Sequence, residues 1–265
     1  MAERFTLSDS HAVVTGASKG IGHQLARELA SRSAHVTVVA RSEAPLKALA
    51  DEIDGTAVVA DLSEADDVDG LMTRIERESG PVDLLINNAA LALVDRLVDQ
   101  AVTDIRASWA LNCVAPAELT RQVLPGMLER RRGRVTNISS VAGITALPTL
   151  TTYGGTKAGL TQFTAALQRE LRRTPVRVTI VQLGEVAGTD MMEQARRSPT
   201  IAAISKRFAR VKAMPTITTA TVARKVVDAT VAGRRNLVVP ARMGSFHTIR
   251  ELPSRVNDLL MAGIE

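Results

Sequence analysis

His11-Ala12-Val13-Val14-Thr15 runs directly into Gly16-Ala17-Ser18-Lys19-Gly20-Ile21-Gly22, and an apolar pattern with helical spacing follows at once. The first five residues read as a short buried strand. The glycines permit a tight turn and let the main chain approach a ligand, while the helix start behind them offers free N–H groups to negative charge. Strand, glycine-rich turn and helix in that order are what a dinucleotide pyrophosphate requires. The spacing is Gly-x-x-x-Gly-x-Gly and not Gly-x-Gly-x-x-Gly, so the turn takes its meaning from its place between strand and helix.

Working outward, six more short apolar runs read as buried strands: His35 to Ala40, Thr56 to Ala60, Val82 to Asn87, Arg134 to Ile138, Val176 to Leu183 and Asn236 to Val239. Between them, stretches such as Gly22 to Ser31, Glu64 to Ser79, Ala115 to Arg130, Tyr153 to Arg172 and Thr219 to Ala232 carry apolar residues three and four apart. These read as amphipathic crossover helices. The alternation predicts an α/β fold, a Rossmann-type doubly wound three-layer sandwich around a seven-stranded parallel sheet. No composition break or linker divides the chain, so residues 1–265 are expected to form a single dinucleotide-binding domain. The alternation stops at Gly184 to Pro215 and again at Pro240 to Glu265. The first interruption follows the sixth strand, at the sheet edge where ligands of such folds bind, and is expected to cover a substrate. The second is a C-terminal extension.

Composition excludes several classes. One cysteine, Cys113, allows no internal disulfide, and no Cys or His cluster has metal-ligand spacing, so no metal is expected. The polar N-terminus lacks the pattern of a signal peptide and no apolar run reaches bilayer-spanning length, which predicts a soluble, cytoplasmic protein. The net charge of +5 is spread along helices, apart from a cluster at Arg130 to Arg134, without the aromatic interleaving of single-strand binders. A nucleic-acid partner is not expected.

After the second strand comes Ala40-Arg41-Ser42, where an NAD-preferring site presents an acid to the ribose 2′-hydroxyl. No acid stands there. Arg41 can pair with a 2′-phosphate, and Lys19 can approach the same group, so NADP(H) is predicted over NAD(H).

Tyr153 is the only tyrosine of the chain, and Lys157 lies four residues on, which places both on one face of a helix. A phenol with an ordinary pKa near 10 needs help to transfer a proton near neutrality, and an ammonium beside it favours the phenolate. Ser140 stands thirteen residues before Tyr153, in Asn137-Ile138-Ser139-Ser140. Its hydroxyl can hold a carbonyl or alcohol oxygen. Upstream lie Asn87-Asn88-Ala89-Ala90 and Leu111-Asn112-Cys113.

With these motifs in order, the chain resembles the short-chain dehydrogenase/reductase family from about Leu7 to Pro240. The resemblance implies Tyr153 as acid/base and Lys157 as the residue that lowers its pKa and holds the nicotinamide ribose. It implies Ser140, rather than Ser139, as the group positioning the substrate oxygen, and Asn112 as the anchor of a water leading protons from Lys157 to solvent. Cofactor contacts are implied at Gly16, Ser18, Lys19, Gly20, Ile21, Gly22, Arg41, Asp61, Leu62, Asn88 and Ala89, with Val186 and Thr189 as candidates for the carboxamide. Three positions depart from the family pattern. Ala90 replaces a glycine, Leu183-Gly184 stands where Pro-Gly is usual, and Thr189 is one residue late.

Leu91, Leu93, Ile144, Leu147, Met191, Met192 and Met214 are expected around the nicotinamide, which points to a lipophilic ketone, aldehyde or secondary alcohol as substrate, unless these residues belong to the core. Phe246, Ile249, Leu252, Val256, Leu259 and Leu260 recur at helical intervals near Arg250 and Arg255. That tail is expected to pack on the core or on a neighbouring subunit, with a membrane surface as the alternative. The resemblance also implies a homodimer or homotetramer. A catalytically silent NADP(H) sensor is the competing reading, against which stands the complete Asn, Ser, Tyr and Lys set.

Overall fold

The computed structural model describes residues 5–210 and 217–241. In chain order the elements are β1 (His11–Thr15), α1 (Gly20–Ala30), β2 (His35–Ala40), α2 (Glu43–Ile53), β3 (Thr56–Val59), α3 (Ala65–Val68), α4 (Leu71–Ser79) and β4 (Leu84–Asn87). They continue with α5 (Val102–Trp109), α6 (Ala115–Glu129), β5 (Arg134–Ser140), α7 (Thr151–Glu170), β6 (Arg177–Leu183) and β7 (Val186–Ala187). The chain then forms α8 (Asp190–Ala195), α9 (Pro199–Arg210), β8 (Ile217–Thr218), α10 (Thr219–Val231) and β9 (Asn236–Val239).

Seven strands form one parallel sheet in the order β3-β2-β1-β4-β5-β6-β9. All seven expected strands are present. The sheet grows in one direction from β1 to β3 and in the other from β4 to β9, so its order reverses between β1 and β4. The loops leaving those two strands diverge there and leave a crevice at their carboxyl ends. Both faces are covered, which is why the strands read as continuous apolar runs. On one face Leu25 and Leu29 of α1, Leu46 and Leu49 of α2 and Val226 of α10 pack on Val14, Val38 and Ile86. On the other, Leu71, Met72 and Ile75 of α4, Leu119 and Val123 of α6 and Leu167 of α7 pack on Val13, Leu85 and Val135.

The stretch Glu64 to Ser79, expected as one helix, is two. Gly70 adopts a left-handed conformation (φ 62°) and ends the first helical turn, after which α4 starts afresh. The interruption expected from Gly184 onward contains α8 and α9 and begins with β7, which pairs with β8 in a separate two-stranded sheet. Met214 and the apolar tail beyond Ala241 lie outside the described residues.

Candidate active site

The glycine-rich turn is built by close contact. Gly16 has φ 66°, and a Cβ there would sit 2.7 Å from the Ala89 Cα. A Cβ on Gly22 would lie 2.2 Å from the Gly16 carbonyl oxygen, so α1 packs its first turn against the loop it follows. Asn88 ties this loop to the end of β4: its Nδ2 donates to the Thr15 and Gly16 carbonyls at 2.9 and 3.2 Å. The Thr15 hydroxyl accepts from the N–H groups of Asn88 and Ala89 at 3.0 and 3.1 Å. Sequence reading overlooked Thr15, whose signal is a hydroxyl at the last position of β1. The first N–H groups of α1 have no intrahelical partner, no side chain caps them, and no acid lies in the first turn. Ser18, Lys19, Gly20 and Ile21 surround this end of the helix, which fits the negatively charged pyrophosphate of a dinucleotide.

At the far end of the crevice Arg41 is 69% exposed and pairs with Asp61 at 3.3 Å. Partial burial alone would raise the Asp61 carboxyl, but two hydrogen bonds from Ser63 and the Arg41 charge outweigh it and hold the group below the ordinary range. Leu62 beside it is buried in the core. Lys19 does not turn toward Arg41. Its ammonium meets Asp190 at the start of α8, 2.5 Å away. Thr189 stands over the same turn, its Cγ2 placed 3.8 Å from where a Gly20 Cβ would be. Its hydroxyl donates to the Val186 carbonyl at 3.1 Å, which joins the two carboxamide candidates.

The catalytic candidates converge at the carboxyl end of β5. Ser140 is the last residue of that strand, and its hydroxyl accepts from the Ala142 N–H at 3.1 Å and donates to the Leu183 carbonyl at 3.3 Å. Ser139 points elsewhere, its hydroxyl bonding to the Lys157 carbonyl and to Thr161 beneath α7. That leaves Ser140 to face the phenol. Gly143 permits the approach of α7, since a Cβ there would meet the Lys157 main chain at 2.7 Å. Tyr153 is 9% and Lys157 3% exposed. Burial pushes the Tyr153 phenol above its ordinary value, and a hydrogen bond with Ser140 pulls it partly back.

The lysine differs from expectation. Its Nζ donates to the Ile138 carbonyl at 2.9 Å and lies 5.9 Å from the centre of the Tyr153 ring. Burial lowers its pKa to about 8, so the charge that is to stabilise a phenolate is itself weakly held. Asn112, fully buried in one π-helical turn between α5 and α6, spends its side chain on protein partners. Oδ1 accepts from the Leu91 N–H at 2.8 Å, while Nδ2 donates to the Leu91 carbonyl at 2.8 Å and to Thr156 at 3.0 Å. This anchors the loop after β4 to the helix that carries Tyr153.

Leu91, Leu93, Ile144, Leu147, Met191 and Met192 are all half-buried, and none belongs to either core cluster. Of these six only Leu93 borders a cleft of about 540 Å³, whose lining is mixed: Leu93, Val94, Asp95, Arg96 and Asp99 from the chain after β4, with Thr149, Arg197 and Pro199. The α8–α9 segment, which contributes Arg197 and Pro199 to that lining, is fixed at its base by Glu185, which pairs with Arg196 at 3.4 Å and accepts a hydrogen bond from Ser205.

A dinucleotide crevice at the switch point of a parallel sheet, with a buried tyrosine and lysine at its open side, defines a class of oxidoreductases that use nicotinamide. The chain belongs to the short chain dehydrogenase family, whose pattern it matches over residues 10–200. The ketoacyl reductase HetN of Nostoc sp. is 34% identical over 206 residues, 76% of this chain and 72% of that one. A metagenomic short-chain oxidoreductase solved in complex with NADP has a TM-score of 0.71 at 30% identity, over 88% of this chain and 97% of the other. A short chain dehydrogenase/reductase from Burkholderia phymatum, solved with NAD, gives a TM-score of 0.80 over 96% of both chains. At 22% identity it bears on the fold alone.

Proposed function

We propose that the protein is an NADP(H)-dependent oxidoreductase that interconverts a lipophilic carbonyl and its secondary alcohol, with Tyr153 as acid/base. The observation that carries this reading is the meeting of Tyr153, Ser140 and Lys157 at the end of β5, in the open side of a crevice whose other end presents Arg41, with no acid at the end of β2. NADP(H), when bound, supplies or accepts the hydride. Gly16, Ser18, Gly20, Ile21 and Gly22 would hold its pyrophosphate, Arg41 and Lys19 its 2′-phosphate, Asp61, Leu62, Asn88 and Ala89 its adenosine, and Val186 and Thr189 its carboxamide.

In reduction Tyr153 donates a proton to the carbonyl oxygen, and in oxidation it takes the proton back. Ser140 holds that oxygen in line and shares the developing charge. Lys157 binds the nicotinamide ribose and brings positive charge toward the phenol, offsetting the burial that otherwise keeps Tyr153 protonated. Asn112 fixes the Leu91 loop against α7, and it is the proposed anchor of a water leading protons from Lys157 to solvent. The lipophilic preference rests on the half-buried Leu91, Leu93, Ile144, Leu147, Met191 and Met192, an adaptable apolar wall not consumed by the core.

Copies of the chain are proposed to associate through the α6–α7 face, where Val114 is 61% and Trp109 42% exposed beside a shallow apolar groove lined by Leu124 and Phe163. Sedimentation velocity of the wild type and Val114→Asp checks it. A cytoplasmic location and a single domain fit this reading. The function is tested by following NADPH consumption across a panel of ketones and aldehydes of graded polarity. Apolar carbonyls are expected to lead, and Tyr153→Phe is expected to lose at least about a hundredfold in turnover while still binding NADPH. Undiminished turnover in that variant would refute the mechanism.

A further inference from the structure

The ion pair between Lys19 and Asp190 joins residues 171 positions apart, and it joins two parts of the site with different tasks. Lys19 belongs to the glycine-rich turn and precedes the first turn of α1. Asp190 opens α8, the helix that carries Met191 and Met192 to the substrate side. The main chain on either side is already committed. Thr189 caps α8 by accepting from the Met192 N–H, and its methyl rests above Gly20. At the base of the covering segment, Glu185 holds Arg196 and Ser205 farther along it. The Lys19–Asp190 pair is thus the only charged link among the described residues between this segment and the cofactor turn. Both groups are solvent-exposed, 68% and 56%, so the pair is weak enough to be exchanged for another anion.

We propose that Asp190 is a positioning residue that holds Lys19 as a latch between the glycine-rich turn and α8, and that a cofactor phosphate competes with Asp190 for the Lys19 ammonium. Binding of the dinucleotide then releases one tether of the substrate cover at the moment its cofactor contacts form. The competition rests on the dinucleotide reading given above; the latch itself does not. The 2′-phosphate and the pyrophosphate offer Lys19 the same chemistry, and NADPH and NADH differ only in the former.

The test is a fluorescence titration of NADPH and of NADH into the full-length wild type, Asp190→Asn, Lys19→Gln and the double variant, with Asp190→Glu as the conservative control. Freeing Lys19 in Asp190→Asn is expected to tighten NADPH by about two- to fivefold, the range of an exposed ion pair. If the 2′-phosphate is the rival, NADH affinity stays unchanged; if the pyrophosphate is, both tighten by the same factor. Asp190→Glu is expected to keep wild-type affinities, and Asp190→Asn to have no effect once Lys19 is glutamine. Tightening that persists in the Lys19→Gln background would mean that Asp190 acts by its own charge on the phosphate, and would overturn the proposal, as would unchanged affinity in Asp190→Asn. Hydrogen exchange of the α8 amides without dinucleotide reads the latch alone. Both single variants are expected to exchange faster by a similar factor, with no further gain in the double variant, and unaltered exchange would overturn the latch. A wild type that prefers NADH would refute the NADP(H) assignment while the pyrophosphate arm and the exchange arm still decide this one.

Discussion

Replacing Lys157 with methionine removes a buried ammonium whose titration the fold has moved into an accessible range. In the unfolded chain this lysine keeps its proton to about pH 10.5, whereas burial in the folded protein lowers its pKa to about 8. Between those values the unfolded chain binds more protons than the native one, so stability rises with pH. The group therefore contributes least below pH 8, where the native protein carries a buried charge, and most above 10.5. Its full extent is about 3 kcal/mol, of which somewhat under half falls between pH 7 and 9. The other titrating groups are common to wild type and Lys157→Met, so their difference isolates this one. Urea unfolding at pH 7, 8 and 9, followed by the fluorescence of the single tryptophan, is the assay. The wild type is expected to gain about 0.5 M or more in midpoint over that range relative to the variant. Parallel curves would show that Lys157 is hydrated or ion-paired in the native state and would refute the reasoning.

Gly22→Ala drives a methyl to within 2.2 Å of the Gly16 carbonyl oxygen and 2.6 Å of the Asn88 amide, so the turn must shift. A loss of about 1–3 kcal/mol in stability and a weaker dinucleotide complex are expected, and a melting temperature within a degree of wild type would contradict the packing described. Arg41→Ala is expected to weaken NADPH binding about tenfold and leave NADH unchanged, because a charge-assisted contact to the 2′-phosphate is lost. An unaltered preference between the two dinucleotides, measured by equilibrium titration, would refute the cofactor assignment. Asn112→Ala removes the hydrogen bonds to both main-chain groups of Leu91 and to Thr156 and should cost about 2 kcal/mol or more. Hydrogen exchange in the loop after β4 is expected to quicken, and kcat to fall more than NADPH affinity.

The sequence by itself determined the sheet, the crevice and the chemical type of the site. All seven strands were legible because a strand buried on both faces is a short apolar run, and the crossover helices because amphipathic periodicity is a local property. The glycine-rich turn was legible because only glycine tolerates the approach that Gly16 and Gly22 make. Helical spacing placed Tyr153 and Lys157 on one face, and Ser140, Asn112 and the glycine-rich turn in register with them gave the pair its chemical meaning. What that spacing did not decide is where the lysine charge goes. Tertiary structure turns it to the Ile138 carbonyl of a neighbouring strand and buries it until its proton is weakly held. Tertiary structure likewise decided that Arg41 rests on Asp61, that Asn112 serves the Leu91 loop, and that Lys19 is claimed by Asp190 and not by the Arg41 end of the crevice. The single helix expected over Glu64 to Ser79 failed for a local reason, since Gly70 takes the left-handed conformation open to a residue without a Cβ, a break that apolar periodicity does not register. The other differences share one cause. Periodicity and turn chemistry act over one or two turns of chain, whereas a charge or a hydrogen bond is satisfied by whichever group the crossovers deliver to the same edge of the sheet.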